Sequence, residues 1–192
     1  LLNFLILLVC FILIYIVFTK YTNKLNRAYK NIDKLEVEVE TDTLTGINNR
    51  ASLNNFLQKK VKTPNEYAII FFDIDHFKEI NDTHGHNVGD MILKQLTSVI
   101  KQEIRVDDFF ARWGGEEFAI VLRTRNLENV VKITQKIKEN ICSNLFFKNI
   151  KLTCSFGVTM IDRPHNMDEV FKRADELLYE AKNAGRDCIK YR

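Results

Sequence analysis

The chain has 192 residues, of which 46% are hydrophobic and 28% charged, with two prolines and seven glycines. This composition excludes disordered and collagen-like chains and is sufficient for one domain with a hydrophobic core. The formal net charge of +3 is close to balance, so we expect no nucleic-acid partner. The four cysteines lie far apart without CxxC spacing, which disfavours a zinc module or a disulfide framework and favours a reducing compartment.

The chain begins with an apolar segment, residues 1–18, in which Asn3 is the only strongly polar side chain. At about 1.5 Å per residue, a helix of this length spans about 27 Å, just enough to cross the hydrocarbon core of a bilayer. A signal peptide is disfavoured because no basic region precedes the segment and no small-residue cleavage site follows it. A core helix is disfavoured because polar positions at helical spacing are missing. We predict a single transmembrane helix, and because residue 1 is not Met we expect further residues upstream.

A basic and amphipathic segment, residues 19–40, comes next. Its positive charges are Lys20, Lys24, Arg27, Lys30 and Lys34. Basic residues beside a membrane helix favour the cytoplasmic side for the chain after them, so we expect a cytoplasmic (inner) membrane protein whose body is cytoplasmic. Apolar residues recur at alternating steps of three and four over about three heptads, which is typical of a two-stranded coiled coil. We predict a helical stalk that pairs two chains into a homodimer; a single amphipathic helix packed on its own domain is the alternative.

Residues 41–192 form a third segment, in which helical and strand patterns alternate. We predict helices at 51–61, 76–82, 90–103, 127–147 and 167–183, a loop at 83–89, and strands at 67–75, 109–113, 117–123, 151–160 and 187–191. Gly114-Gly115 joins two of these strands as a hairpin, whereas helices connect the others. The expected fold class is therefore α/β (α+β), with a mixed sheet of about five strands covered by helices.

Two acidic pairs lie at predicted strand ends. Asp73 and Asp75 end the strand 67–75, and Glu116 and Glu117 follow the Gly-Gly turn. Alternation puts Asp73 and Asp75 on the same side of their strand, and the two pairs meet at one edge of the sheet if their strands are neighbours. Carboxylates gathered there suit Mg²⁺, which prefers few protein ligands together with substrate phosphates. A solvated hairpin tip with scattered surface acids is the alternative.

The residues after the first acidic pair favour a nucleotide ligand. Lys78 and the amino end of the short helix follow Asp75 directly, where backbone N–H groups can receive phosphate oxygens. Asn81 and Asp90 flank the next loop and together can read guanine, because a carboxylate accepts from N1–H and N2–H₂ whereas adenine presents an acceptor at N1. With a metal, these groups predict phosphoryl or nucleotidyl transfer. Helix capping is the alternative role of Asn81 and Asp90.

Four segments of the chain form an ordered set of motifs. They are TDTLTGINNR at 41–50, FFDIDHFKEINDTHGHNVGD at 71–90, GGEEF at 114–118 and AKNAGRD at 181–187. GGEEF resembles the signature of the GGDEF family, the bacterial diguanylate cyclases, and the other three segments resemble further motifs of that family at suitable spacings. The likeness extends over residues 41–192, and its one departure, Ile47 in place of the usual leucine, is conservative.

The resemblance implies a nucleotide-cyclase-like GGDEF fold in which each domain binds one GTP. Two domains would then meet face to face, join two GTP into cyclic di-GMP and release two pyrophosphates. It implies two metal ions per half-site, Mg²⁺ or Mn²⁺, held by Asp73, the backbone carbonyl of Ile74, Glu116 and Glu117. The catalytic residues implied are Glu116, Glu117 and Lys182, with Glu116 or Glu117 assisting deprotonation of the 3′-hydroxyl. The substrate-binding residues implied are Phe77, Lys78 and Arg186 at the phosphates, Asn81, His86 and Asp90 at the guanine, and Gly114 and Gly115 where the nucleotide approaches the backbone.

A further pair, Arg105 and Asp108, lies before the second acidic pair. Asp108 is six residues before Gly114, which resembles the position of the family's product-binding inhibitory site. An arginine can grip the Hoogsteen edge of guanine or a phosphate, and an aspartate can accept from guanine N–H groups. The resemblance therefore implies feedback by cyclic di-GMP, although an isolated RxxD is most often a surface ion pair.

Two other functions compete with the cyclase. One is a GGDEF domain without turnover that serves as a receptor for GTP or cyclic di-GMP; it is disfavoured because none of the motif residues is damaged. The other is an enzyme that makes a different cyclic dinucleotide, which is disfavoured by Asp90.

Overall fold

The computed structural model describes residues 15, 18–24, 40–163 and 166–192. The chain divides into two units, Leu1–Val39 and Glu40–Arg192. In the first unit the described residues, 15 and 18–24, are helical. No helix among the described residues is both long enough and apolar enough to cross a membrane. The predicted transmembrane helix, residues 1–18, and the predicted stalk, residues 19–40, lie mostly outside the described residues.

The second unit is built from a six-stranded sheet and helices. The strands are β1 (Asn48–Asn49), β2 (Tyr67–Ile74), β3 (Phe109–Gly114), β4 (Glu117–Arg123), β5 (Cys154–Met160) and β6 (Ile189–Tyr191). The helices are α1 (Arg50–Lys60), α2 (Phe77–His84), α3 (His86–Lys101), α4 (Leu127–Ser143) and α5 (Met167–Asn183), with a short 3₁₀ turn at Phe147–Asn149.

The sheet is mixed, in the order β1-β3-β4-β2-β5-β6. Its central pairs are antiparallel, whereas the two edge pairs, β1 with β3 and β5 with β6, are parallel. The prediction of a mixed sheet covered by helices is confirmed. The sheet has one strand more than expected because β1, with only two asparagines, offers no apolar alternation that a sequence pattern could reveal.

The sheet is buried on both faces. Along β2, Ile70 and Phe72 face a cluster that includes α3 and α4, whereas Ile69 and Phe71 face a second cluster that includes α1 and α5. A strand covered on both sides reads as an unbroken apolar run, as this one does. Asp73 lies on the same side of β2 as Ile69 and Phe71, so its side chain is on the face of the sheet that α5 covers.

Helix α5 packs directly against β5 because Gly157 has no side chain. A Cβ there would lie 2.3 Å from the carbonyl oxygen of Ala174 and 2.6 Å from the backbone nitrogen of Leu178, both in α5. Any larger residue would push α5 away from the sheet. This close approach fixes the distance between the sheet and the last turn of α5, which carries Lys182.

Three predicted segments differ from the structure by three residues or more. The predicted loop at 83–89 is mostly helical, since only Gly85, with φ +86°, separates α2 from α3. Helix α4 ends at Ser143, not at 147, and β5 begins at Cys154, not at 151. The apolar pattern continues past Ser143 because the side chain of Phe146 is buried, although its backbone is extended. Periodicity alone therefore misplaces the helix end.

Candidate active site

The two acidic segments meet at one end of the central strands β2 and β4, a place that we call the acidic edge. In the antiparallel register of β2 and β4, Asp73 lies directly opposite Glu117, and the N–H of Ile74 donates to the carbonyl oxygen of Glu116 at 3.3 Å. Side chains directly opposite each other in such a pair lie on one face, with Cβ atoms about 4.5–5.5 Å apart. The structure thus brings together two of the segments that were singled out from sequence. Asp73 and Glu117 are 44 positions apart in the chain.

The electrostatics of this edge are dominated by buried negative charge. Asp73 is only 6% exposed, and this burial raises its pKa to about 6; Lys182 opposes the shift, whereas Glu116 and Glu117 add to it. The Lys182 ammonium lies 2.9 Å from Asp73 Oδ2. Burial also raises the pKa of Glu117, against the effect of Lys182. One ammonium group thus offsets only part of the charge of these carboxylates, which favours the arrival of further positive charge.

The donor set fits a magnesium ion that arrives with a triphosphate. Among the described residues there is no group of three or more His, Cys, Asp or Glu side chains arranged to hold a metal by themselves. Mg²⁺ is usually held by one or two carboxylates together with waters and substrate phosphates, so Asp73 with a neighbouring glutamate is a sufficient protein contribution. Burial raises the pKa of Asp73 to about 6, and Glu116 and Glu117 add to the shift, so a cation bound here would favour the ionised form of this carboxylate.

The turn between β3 and β4 is held by an arginine. The backbone is irregular between Arg112 and Gly114, and Gly115 has φ +29°. Arg112 donates from Nε and Nη2 to the carbonyl oxygen of Gly115 at 2.9 and 2.7 Å. Arg112 was not predicted from sequence, because its only signal was a basic residue two positions before the Gly-Gly pair.

The same arginine ties the turn to the start of the domain. Arg112 Nη1 lies 3.1 and 3.2 Å from the two carboxylate oxygens of Asp42. Asp42 also accepts from the backbone N–H and the hydroxyl of Thr45, at 2.8 and 2.6 Å. Burial acts to raise the pKa of Asp42, but the hydrogen bonds from Thr45 and Arg112 outweigh it, so the pKa is lowered. The segment that follows the first unit is therefore linked to the glycine turn by a pair of side chains.

Arg50 and Trp113 form a second contact near the turn that the sequence analysis missed. The Arg50 guanidinium lies 4.1 Å from the centre of the Trp113 ring, which packs in turn against Phe71 and Phe171. A cation over an aromatic face is attracted to its π-electrons. Arg50 also acts to lower the pKa of Glu117, so it adds positive potential to the acidic edge.

Helix α2 begins directly after the acidic strand and offers unpaired amides. Its N-cap, His76, has a left-handed backbone with φ 57° and supplies no side-chain hydrogen bond to the helix. The first N–H groups of a helix have no acceptor within it, so those at Phe77 and Lys78 can bind an anion. Phe77 is buried at 6% exposure, whereas the Lys78 side chain is exposed. The structure therefore places these amides directly after the acidic strand, and their binding of phosphate stays a prediction.

The two residues expected to read guanine lie inside helices. Asn81 is in α2 and Asp90 in α3, so neither caps a helix, and the capping alternative is wrong for both. The Oδ1 atom of Asn81 is buried, has no hydrogen-bond partner among the described residues, and points toward Gly89, where a Cβ would lie 2.0 Å from it. Asp90 and His86 are exposed on α3. Gly89 therefore leaves the space that the Asn81 side chain occupies.

The basic residues of the last motif lie at and after the end of α5. Lys182 is in its last turn, and Arg186 follows with φ 65° and an exposed side chain. Lys182 and Glu117 also line a cavity of about 220 Å³. Asp175 and Tyr179 line it as well, and Asp175 raises the pKa of Glu117. Neither residue was predicted, because both read as ordinary exposed positions of an amphipathic helix.

Asp75 does not join the acidic edge. Its carboxylate is 5% exposed and accepts hydrogen bonds from Thr153, Ser155 and the backbone of Asp187. The expectation that both acids of the strand contribute to one acidic edge is therefore met by Asp73 alone.

Arg105 and Asp108 form a separate site. The N–H of Arg105 donates to Asp108 Oδ2 at 2.8 Å, and burial raises the pKa of Asp108 in spite of this bond. The two residues precede β3, whereas Gly114 ends it, so about 20 Å of strand separates them from the turn. Both line a cavity of about 330 Å³ whose other walls include Thr41 and Asn48.

Residues 39–188 match the sequence family described as diguanylate cyclase, GGDEF domain. The chain belongs to the GGDEF family. Diguanylate cyclase DgcP of Pseudomonas aeruginosa is 40% identical over 157 residues, which cover 78% of this chain and 23% of DgcP. An uncharacterized membrane protein of Staphylococcus aureus is 34% identical over 170 residues, which cover 83% of this chain and 48% of that protein. The chain thus spans about a quarter and about half of these two relatives.

The fold is that of GGDEF domains of known structure. The coiled coil and GGDEF domain of DgcB from Caulobacter crescentus, in complex with c-di-GMP, is similar with a TM-score of 0.80 and 26% identity. The similarity covers 91% of this chain and 96% of that one. The mixed sheet, its helices and the glycine turn between β3 and β4 are therefore those of a GGDEF domain.

Proposed function

We propose that this chain is a diguanylate cyclase, a nucleotidyltransferase that joins two GTP into cyclic di-GMP and releases two pyrophosphates. The observation that carries the proposal is the pairing of Asp73 with Glu117 at a sheet edge directly before the uncapped start of α2. Such an edge combines carboxylates for a metal with amides for a triphosphate. Diguanylate cyclase DgcP, a relative at 40% identity, supports the same reaction.

The triphosphate would lie between α2 and the end of α5. The amides of Phe77 and Lys78 would bind its phosphate oxygens, and the side chains of Lys78, Lys182 and Arg186 would neutralise it. Lys182, which now pairs with Asp73, would exchange this partner for a phosphate. The triphosphate would thus be held from two elements that are adjacent only in the folded chain.

The guanine would lie beside α2 and α3. Asp90 is exposed and would accept from the N1–H and N2–H₂ groups of the base, with His86 beside it in the same pocket. The buried Oδ1 of Asn81 faces Gly89, which leaves the amide nitrogen of Asn81 to donate to guanine O6 or N7. This set favours guanine over adenine, whose N1 is an acceptor.

The reaction would use the carboxylates of the glycine turn. The 3′-hydroxyl oxygen of one GTP attacks the α-phosphorus of the other, a new P–O bond forms, and the bond to pyrophosphate breaks. The proton of the hydroxyl passes to Glu116 or Glu117, and the raised pKa of Glu117 brings its proton affinity closer to that needed in a general base. Divalent cations, Mg²⁺ or Mn²⁺, two per half-site, held by Asp73, the Ile74 carbonyl and the two glutamates, would neutralise the triphosphate and activate the attacking oxygen.

One domain holds one GTP, so ring closure would require two domains that face each other. We propose that residues 19–40 form a paired helical stalk and residues 1–18 a membrane anchor in the cytoplasmic membrane. A similar solved structure includes a coiled coil with its GGDEF domain, and an uncharacterized relative is named a membrane protein. Pairing and anchoring would raise the effective concentration of the second domain without any new contact between the domains.

Cyclic di-GMP would also act as a feedback ligand at Arg105 and Asp108. The DgcB domain, which is similar in fold, is in complex with c-di-GMP. Here the pair lines a cavity next to Thr41, close to the segment that leads into the domain. Arg105→Ala should then retain turnover and lose inhibition by added product; equal product sensitivity in variant and parent would remove this part of the proposal.

The decisive experiment is nucleotide chromatography of the protein incubated with GTP and Mg²⁺. We expect cyclic di-GMP and pyrophosphate, and a loss of about 10²-fold or more in Glu117→Gln, which keeps size but removes the proton acceptor. The matched control is Glu128→Gln, on the exposed first turn of α4, which should leave the rate unchanged. Binding of GTP without turnover would support the receptor function instead, and failure to bind GTP would exclude both.

A further inference from the structure

Asp75 is a buried carboxylate that the proposed reaction does not use. Its Oδ1 accepts from the hydroxyl of Ser155 at 2.6 Å, and its Oδ2 accepts from the hydroxyl of Thr153 at 2.7 Å and from the backbone N–H of Asp187 at 3.1 Å. Ser155 and Thr153 belong to β5 and the residues before it, whereas Asp187 lies in the turn after α5. The carboxylate therefore joins the end of β2 to two segments that are distant in sequence.

The turn that Asp75 contacts has a strained backbone. Gly185, Arg186 and Asp187 have φ values of 107°, 65° and 47°, so two consecutive residues other than glycine are left-handed. This conformation is unfavourable for a residue other than glycine, and it persists where surrounding contacts determine it. The turn therefore depends on the contacts that hold Arg186 and Asp187 in place.

Asp187 is held from two sides. Its backbone N–H donates to Asp75, and its carboxylate lies 2.9 Å from Nζ of Lys138 and accepts from the thiol of Cys142 at 3.4 Å, both in α4. The N–H of Arg186 donates back to α5 at 3.1 Å. In contrast, the Arg186 side chain is exposed and has no ion pair or hydrogen bond within the part of the chain that the structure describes.

We infer that Asp75 is a positioning residue for GTP binding, acting through this turn to aim Arg186 at the triphosphate. The inference rests on the proposed function, because Arg186 is a phosphate ligand only if the site binds GTP. Asp75 directly follows Asp73 and Ile74 at the end of β2. One short segment therefore carries two of the proposed metal ligands and, through Asp75, also fixes the turn that carries Arg186. An arginine whose backbone is already held in position loses less backbone freedom on binding, which strengthens its contact.

The experiment measures binding of 3′-deoxy-GTP with Mg²⁺ to the full chain, since this nucleotide lacks the attacking hydroxyl and separates binding from turnover. Asp75→Ala should raise the dissociation constant about tenfold, the equivalent of one weakened charged contact. Asp75→Asn should stay close to the parent, because its amide oxygen can still accept from the N–H of Asp187. Ser155→Ala is the matched control, since it removes a bond to the other oxygen of the same carboxylate.

A double-mutant cycle decides whether the effect passes through Arg186. In an Arg186→Ala background, Asp75→Ala should have no further effect on the dissociation constant, because the side chain that it positions is gone. An equal loss in both backgrounds would mean that Asp75 acts on Asp73 or Ile74 instead, and would overturn the inference. Lys138→Met, which frees Asp187 from its other side, should weaken binding in the same Arg186-dependent way and replaces Asp75→Ala should that variant not fold.

The outcomes separate this inference from the proposed function. If the parent binds 3′-deoxy-GTP and Asp75→Ala binds it equally well, the inference is wrong while the cyclase proposal stands. If Ser155→Ala weakens binding as much as Asp75→Ala does, the role of Asp75 is only structural, and the inference is wrong again. If the parent does not bind the nucleotide at all, the proposed function itself fails.

Discussion

The carboxylate of Asp73 is a buried charge beside other carboxylates, so the folded chain disfavours its ionised form. Its pKa is about 6 in the folded chain, against 3.8 for the free group, because burial outweighs the attraction of Lys182. Between these values the folded chain binds a proton that the unfolded chain does not. The contribution of this group to stability is therefore fully present only at pH values below the pKa of the unfolded chain. It is lost as pH rises through the pKa of the folded chain.

Asp73→Asn should accordingly stabilise the metal-free protein at pH 7 while it abolishes turnover. The pKa difference corresponds to about 1–3 kcal/mol in the free energy of unfolding, measured by denaturant titration. The gain should disappear near pH 4, and added Mg²⁺ with nucleotide should stabilise the parent but not the variant.

Asp162→Asn is the control of opposite sign for this prediction. Its carboxylate is paired with Arg173, which lowers its pKa, so that variant should lose stability at pH 7. A variant at Asp73 that is no more stable than the parent at pH 7, or that is equally stabilised at pH 4, would contradict the prediction.

Gly89 is a second residue whose role depends on one neighbour. In Gly89→Ala the new Cβ would lie 2.0 Å from Asn81 Oδ1 and 3.1 Å from Phe77 Cζ, so the Asn81 side chain must leave its place. We expect KM for GTP to rise about tenfold and stability to fall by about 1–3 kcal/mol. Steady-state kinetics and thermal unfolding measure the two effects.

The double variant Gly89→Ala with Asn81→Ala tests the cause of that loss. Because removal of the Asn81 side chain removes the clash, this variant should recover stability relative to Gly89→Ala but not affinity for GTP. Recovery of neither quantity would mean that the Cβ acts on Phe77 or on the backbone. Asn87→Ala, exposed in the same helix, should change nothing.

At the scale of elements, the link between Arg112 and the glycine turn determines how rigidly β3 and β4 present the glutamates. One guanidinium serves both the Gly115 carbonyl and the Asp42 carboxylate, a geometry that lysine cannot reproduce. Arg112→Lys should therefore lower kcat about tenfold with a smaller change in KM. Arg123→Lys, in an exposed ion pair at the other end of β4, is the matched control and should have no effect. A rise in KM at constant kcat would show that the turn contributes to GTP binding and not to the position of the glutamates during the reaction.

Elements with a strong local pattern were predictable from sequence, and those fixed by distant contacts were not. The apolar run before Asp73 and the glycine pair before Glu116 predicted the strands that carry the acids. Nothing local predicted that β1 would pair with β3, or that Asp42 would meet Arg112, which is 70 residues away. The contacts of Asp75 with Thr153 and Asp187 are of the same kind, because a buried carboxylate finds its donors through the tertiary fold.

At the scale of the whole molecule, residues 1–39 should govern activity because they raise the effective concentration of the second domain. The unit Glu40–Arg192 has its own hydrophobic core on both faces of the sheet, so it should fold without them. A free domain must find its partner by diffusion, whereas a tether supplies an effective concentration of about 1 mM. Removal of residues 1–39 should thus leave specific activity that falls in proportion to dilution below that range, while the full chain in lipid or detergent stays constant.

Fusion of the unit Glu40–Arg192 to an unrelated parallel two-stranded coiled coil distinguishes pairing from any specific contact of the missing segment. If residues 1–39 act only by bringing two domains together, the fusion should restore activity that does not depend on dilution. Dilution-independent activity in the unfused domain would show that the domains pair without a stalk. Recovery with the native segment but not with the fusion would mean that the stalk also sets the relative orientation of the two acidic edges, because both must face one pair of nucleotides for the ring to close.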